Sequence, residues 1–282
     1  MTINTNVSSL FAQLNTNNAE QSMTLSMERM SSGTKINSAA DDASGLAIAD
    51  KLRTQNSSIV QSISNANSAI ALVQIADKAM EEQSTILDSI KSKLLQATTA
   101  TTSADGREAI RQDIVKLLTQ FDDIADQTNY NGINLLQKDA GDTAVGDALS
   151  FQVGELSSNT ITTDAGIQSN SVGLSLDTLK GLAADGLTSA AATTALDLMD
   201  DAITDLNNFR GGYGSTQVQL ESSVRNLSSM SVQIQAAESV IRDTDYAAET
   251  ANYNKQNIIS QAGVYSMSQA NALASNVLRL LQ

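Results

Sequence analysis

One spacing governs most of this chain. Leu52, Ile59, Ala66, Val73, Met80, Leu87 and Leu94 fall at every seventh position without a miss, and Ile63 and Ile70 stand four residues after Ile59 and Ala66. Such a repeat lays one apolar stripe along an α-helix, and a stripe of that kind must be buried on another helix. A second stretch, Ile110, Ile114, Leu117, Phe121, Ile124 and Thr128, steps 4-3-4-3-4. A third, Met199, Leu206, Tyr213, Leu220, Leu227, Ile234 and Ile241, is again seven apart. The economical arrangement is one bundle in which the third helix packs against the first two, so that segments far apart in sequence are neighbours.

Composition supports long helices. No proline interrupts the 282 residues, and with no Trp, five Tyr and four Phe the seams rest on Leu, Ile, Val, Ala and Met. The net charge of −14 argues against nucleic acid and against an anionic membrane surface, both of which call for clustered Lys and Arg. No run approaches the apolar length of a membrane span. With neither Cys nor His, thiolate chemistry, sulfur-ligated metals and paired-His metallopeptidase motifs are all excluded. No catalytic residue, cofactor or metal site is expected. Residues 1–25 carry no basic segment followed by an apolar one, so no cleavable signal is expected, and export would need a route without one.

The breaks are legible. Ser103-Ala104-Asp105-Gly106 is a turn that starts the second helix, and Asn131-Gly132 ends that region with another turn. Between residues 135 and 187 the period is lost. Leu149-Ser150-Phe151-Gln152-Val153 alternates, Thr160-Ile161-Thr162 is β-branched, and a short hairpin on the outside of the bundle follows. The hydroxyl-rich set Ser157, Ser158, Thr160, Thr162, Thr163, Ser169 and Ser171 is expected at this exposed edge. Gly211-Gly212-Tyr213-Gly214 lacks the Lys of a phosphate loop and marks a weak or kinked point in a helix. Asp41-Asp42 and Asp122-Asp123 are paired carboxylates without a companion base, and they are expected on a solvated face or at a helix end.

The two ends differ from the middle. Val7, Leu10 and Leu14 form a stripe that Asn17, Asn18 and Gln21 dilute. Ile259, Ala262, Leu273, Val277 and Leu280 are spread among Asn, Gln, Ser and Ala, and Arg279 is the single charge in residues 256–282. Helices so thin in apolar residues do not hold a fold alone, so both ends are expected to be disordered in the free chain and ordered on assembly.

Arg29-Met-Ser-Ser-Gly33-Thr-Lys35-Ile36-Asn37-Ser-Ala-Ala-Asp41-Asp42-Ala-Ser-Gly45-Leu-Ala-Ile-Ala49 resembles the N-terminal signature of bacterial flagellins. Gln127-Thr-Asn-Tyr-Asn131-Gly132 resembles the family's next landmark. Ile241-Arg-Asp243-Thr-Asp245-Tyr246-Ala247-Ala-Glu249, Gln261-Ala-Gly263, Gln269-Ala-Asn271 and Asn276-Val-Leu-Arg-Leu-Leu281 resemble its C-terminal signature. The resemblance implies a mainly α fold: a long coiled-coil-like helical rod formed by the N- and C-terminal regions, with a small β-hairpin region in mid-sequence. The expected parts are an N-terminal assembly helix over 1–40, rod helices over 41–140, a short variable hairpin or loop region over 141–190, a C-terminal rod helix over 191–242 and a C-terminal assembly helix over 243–282. It further implies a non-enzymatic subunit of the extracellular flagellar filament, exported by the flagellar type III apparatus and used for swimming. The implied partners are further copies of itself, an export chaperone on 243–282, and hook-associated junction and cap proteins. Val7, Leu10, Leu14, Ile259, Leu273, Val277, Leu280 and Leu281 are the expected assembly interface.

Animal receptors of the Toll-like family contact an Arg, a Leu and a Glu on the rod of many flagellins. The aligned positions here are Ser89, Lys93 and Asp113, so a charge replaces the apolar contact and weak recognition is expected. Residues 28–49 resemble the peptide sensed by plant receptors, with departures at Lys35 and Ala40. The alternatives are a hook–filament junction protein, which shares the terminal-helix plan, and a secreted translocator, which would need an apolar hairpin of membrane length.

Overall fold

The computed structural model describes residues 5–137, 148–163 and 167–280, the last four as helix backbone only. Among the described residues six helices and four short strands follow in order: α1 Val7–Ser32, α2 Ala43–Thr98, α3 Ala104–Gln127, β1 Asn129–Tyr130, β2 Ile133–Asn134, β3 Ser150–Gln152, β4 Thr160–Thr162, α4 Asp177–Lys180, α5 Ser189–Arg242 and α6 Tyr246–Leu280. The fold is mainly helical, with long helices and two small antiparallel hairpins. Two compact units share the chain: residues 57–231 form one, and residues 1–56 with 232–282 form the other.

In the 57–231 unit, α2, α3 and α5 bury their stripes together. Ile59, Ala66, Val73, Met80, Leu87 and Leu94 are buried, as are Met199, Leu206, Tyr213, Leu220 and Leu227. The interleaved positions need correction. Ile63 and Ile70 are only half-buried, and the second row of the α2 seam lies three residues after the first, at Ser62, Ala69, Ala76, Gln83, Ile90 and Ala97. On α3 the buried row is Ile110, Ile114, Leu118, Phe121 and Ala125, with Leu117 and Ile124 at its margin. The heptad period was readable, but small or polar side chains occupy much of the second row, and apolarity alone pointed one residue too far.

Caps and turns follow local chemistry. The Ser103 hydroxyl accepts the Gly106 N–H at 3.1 Å and starts α3. Asn131 and Gly132 have φ of 52° and 80°, the left-handed pair of a two-residue hairpin turn joining β1 to β2. β3 pairs with β4 in the register Phe151↔Ile161, at the expected place. Asp42 accepts the N–H groups of Ser44 and Gly45 at the start of α2, the helix-end role expected of that pair. Through Gly211–Gly214 the helix α5 is assigned without interruption.

Residues 167–187 are not an outer loop. Ile167, Leu174, Leu176, Leu179 and Leu187 are buried in the core of this unit. Gln83 donates to the carbonyls of Phe121 (3.2 Å) and Ser169 (2.8 Å). Asp122 accepts from the Ser171 N–H at 2.7 Å, from its hydroxyl at 2.8 Å and from Lys180 Nζ at 2.6 Å. Asp122 is thus an anchor for this segment and not part of a solvated face. Thr163, Ser169 and Ser171 are buried, so the exposed hydroxyl set shrinks to Ser157, Ser158, Thr160 and Thr162. Glu108 and Arg111 on α3 form a two-point ion pair (2.7 and 2.8 Å), and between them they hold the Asp185 N–H and the Leu182 carbonyl. Tyr213 donates its hydroxyl to the Leu135 carbonyl at 2.8 Å, and burial pushes its pKa up to about 12.

Candidate assembly surface

In the unit formed by 1–56 and 232–282, α1 and α6 pair antiparallel along their length. The start of α1 meets the end of α6 through Asn6, whose Nδ2 donates to the Ala270 carbonyl at 3.0 Å and to Asn271 Oδ1 at 3.2 Å. At the other end Tyr246 donates its hydroxyl to the Met30 carbonyl at 2.5 Å. Both terminal helices are therefore formed and paired, where the sequence pattern pointed to disorder in the free chain.

What pairs them is a seam of mostly small and polar residues, with Met and Tyr side chains among them. Along α1 the covered positions are Ser9, Ala12, Thr16, Ala19, Met23, Ser26 and Met30, and along α6 they are Tyr253, Gln256, Ser260, Gly263, Met267, Ala270 and Ala274. Both sets step alternately by three and four, the spacing of a coiled-coil seam. The helices pass close at Gly263, where an added Cβ would stand 2.2 Å from Thr16 Oγ1. Thr16 is buried and its hydroxyl donates to the Ala12 carbonyl at 2.9 Å.

The large apolar side chains face the other way. Val7, Leu10, Phe11 and Leu14 lie on one side of α1, opposite the seam at 3.6 residues per turn, and all are more than half exposed. Ile258, Tyr265 and Leu273 do the same on α6, with 67%, 74% and 57% of their surface open, and Ile259 and Val264 flank them. Five of the eight expected interface residues, Val7, Leu10, Leu14, Ile259 and Leu273, are thus exposed apolar groups. The side chains of Val277 and Leu280, and the whole of Leu281, lie outside the described residues. Phe11, Ile258, Val264 and Tyr265 were missed. The signal that could have found them is the 3-4 row of small residues, which fixes the inward face and so the outward one.

Two turns brace this pair. Gly33, at φ 75°, closes α1 by donating its N–H to the Arg29 carbonyl. Lys35 N–H then donates to the Arg242 carbonyl (2.6 Å), Thr244 N–H donates to the Gly33 carbonyl (3.1 Å), and Thr34 bridges Asp243. Asp41 Oδ2 accepts the N–H groups of Asn37 and Ser38, and these bonds hold its pKa below the usual value. A Cβ at Gly45 would stand 2.6 Å from the ends of the Ile36 and Asp42 side chains, which would have to shift to admit it.

The three receptor-equivalent positions sit on α2 and α3 of the 57–231 unit. Lys93 Nζ donates to Asp113 Oδ2 at 2.8 Å, which holds the Asp113 pKa below its ordinary value, and the Ser89 hydroxyl turns back to the Thr85 carbonyl. Among the described residues no group of His, Cys, Asp and Glu could hold a metal ion, and no helix is long and apolar enough to cross a membrane.

The comparisons with known proteins agree at both ends of the chain. Residues 3–141 match the family model for the bacterial flagellin N-terminal helical region, and residues 196–281 match that for the C-terminal helical region. The chain is 32% identical over 296 residues to the flagellar filament 33 kDa core protein of Treponema phagedenis, and 32% identical over 306 residues to the flagellin of Bacillus subtilis, covering all of both sequences in each case. A solved flagellar hook-associated protein from Vibrio parahaemolyticus shares the fold, with a TM-score of 0.57 at 13% identity over 71% of this chain and 99% of that one.

Proposed function

The chain belongs to the bacterial flagellin family and is a structural, non-enzymatic subunit of the extracellular flagellar filament; on that premise we propose that the outward faces of α1 and α6 are the surfaces through which copies join. The observation that carries this is the inverted burial of the pair. Its seam is built mostly of small and polar residues with Met23, Met30, Tyr253 and Met267 among them, and its Val, Leu, Ile and Phe side chains on the outward faces are in water. Each such side chain stabilises by about 1.5–3 kcal/mol when buried, so neighbouring copies that cover Val7, Leu10, Leu14, Ile259 and Leu273 supply the energy the isolated pair lacks. The side chains of Val277 and Leu280 and the whole of Leu281, the remaining expected members of this interface, lie outside the described residues. The contact is head-to-tail and does not close, which yields a helical polymer and not a ring.

The expected parts fit this reading: assembly helices over 1–40 and 243–282, rod helices over 41–140 and 191–242, and a short variable region over 141–190. Membership of the flagellin family supports export through the flagellar type III apparatus. A chaperone on 243–282 would shield the exposed stripe of α6 before export, and hook-associated junction and cap proteins would meet the same faces at the filament ends. The match of both terminal models, with similarity to filament proteins at 32% identity over the full length, favours a filament subunit over a junction protein.

Electron microscopy after seeding tests the interface. Leu10→Asp is expected to abolish filaments while leaving the unfolding of the 57–231 unit unchanged. Wild-type-like filaments from that variant would refute the assignment.

Weak recognition by Toll-like receptors is part of the same reading. Lys93 is held by Asp113 and presents a charge where an apolar contact is needed. Receptor-reporter cells should respond at least tenfold more weakly than to a flagellin carrying Arg, Leu and Glu at the aligned positions. A response at equal concentration would sink the proposal.

A further inference from the structure

We propose that Asn6 sets the register of α1 on α6 and so positions the apolar stripe through which copies join; this rests on the filament reading above. One side chain does two jobs. Its Oδ1 accepts the Ser9 N–H at 3.2 Å and starts α1, while its Nδ2 donates across the seam to Ala270 O and Asn271 Oδ1. The exposed stripe begins at the next residue, Val7, and its counterpart Leu273 lies two residues beyond Asn271.

The need for such a device comes from the seam itself. Large residues in a coiled coil fix register by filling specific holes, whereas toward the open end of this pair the rows are Ser9, Ala12, Thr16 and Ala19 on α1 and Ser260, Gly263, Ala270 and Ala274 on α6, with Met267 the one large side chain among them, and rows so small tolerate a slip. Thr16 against Gly263 fixes the middle of the pair. At the open end the hydrogen bonds of Asn6 take that role, as a polar residue at a single seam position is known to do. The start of α1 and the docking of α6 are thereby coupled, because the same amide serves both.

Two substitutions separate the jobs. Asn6→Ser keeps a good helix cap, since Ser ranks with Asn at that position, but it is too short to reach α6. Asn6→Ala loses cap and reach together. The full chain is followed by amide hydrogen exchange, both free and in filaments, and by the critical concentration for growth on seeds. For Asn6→Ser the Ser9 amide should keep its wild-type protection. Amides of residues 266–275 should exchange about tenfold faster and the critical concentration should rise about tenfold, the scale set by two cross-seam hydrogen bonds. Asn6→Ala should add loss of protection at Ser9. Wild-type exchange over 266–275 together with wild-type growth in Asn6→Ser would overturn the proposal. So would a change confined to α1. If the wild-type chain itself fails to grow on seeds, the filament reading fails, and exchange in the free chain still decides the role of Asn6.

Discussion

Glu108 shows how much one carboxylate can organise. Arg111 grips it at both oxygens, the Asp185 N–H and Gln112 add to the grip, and its pKa falls from 4.5 to about 2. A carboxylate whose pKa is depressed on folding stabilises the fold above its unfolded value and loses that contribution as pH drops through the folded one. The window here runs from about pH 4.5 down to about 2. Glu108→Gln should therefore flatten the fall of the urea midpoint across this window relative to wild type, and should loosen residues 182–185, which the pair holds to α3. Parallel profiles for the two proteins would show that the ion pair does not couple to folding. The Glu108–Arg111 pair lies three residues apart on one helix, but its grip on 182–185 was not legible beforehand, because Glu108 and Asp185 stand 77 residues apart and the clamped segment reads as loop.

At the scale of the element, the α1–α6 pair turns on one close approach. Gly263→Ala would gain up to about 1 kcal/mol of helix propensity. Against that stands a Cβ placed 2.2 Å from Thr16 Oγ1, an overpacking that costs about 1–3 kcal/mol. The clash wins, so Gly263→Ala should raise the critical concentration for assembly severalfold, as measured by sedimentation of polymer. Thr16→Ala in the same chain should restore much of the loss, because it removes the offending oxygen. Failure of that rescue would place the effect elsewhere. The same elements show where a sequence stops speaking. The heptads of α2 and α5 were visible because Leu, Ile, Val and Met mark them. The seam of α1 and α6 has the same spacing, but mostly Ser, Ala, Thr and Gly write it, with only Met23, Met30, Tyr253 and Met267 as large side chains, and such small residues are as common on surfaces. What apolarity displayed in these two helices was the face turned outward.

Taken whole, the molecule ties segments distant in sequence together through a few polar anchors. Acidic side chains on α3, such as Glu108 and Asp122, anchor the 167–187 segment, while α1 holds a single acidic pair, Glu20 and Glu28, within its 26 residues. The fold class, the turns at 103–106 and 131–132 and the hairpin at 149–162 were readable from period and turn chemistry. The burial of 167–187 was not, since its anchors are polar contacts between residues distant in sequence. The brace between the two turns of the terminal unit has a further effect. Thr34 and Asp243 lie 243 − 34 = 209 positions apart. Closing a loop of that length costs about 5 kcal/mol of chain entropy beyond a constant. A chain threaded out from either end presents one half of this clasp long before the other. The clasp must therefore be a late event in folding, and it joins only a subunit whose two ends have both arrived.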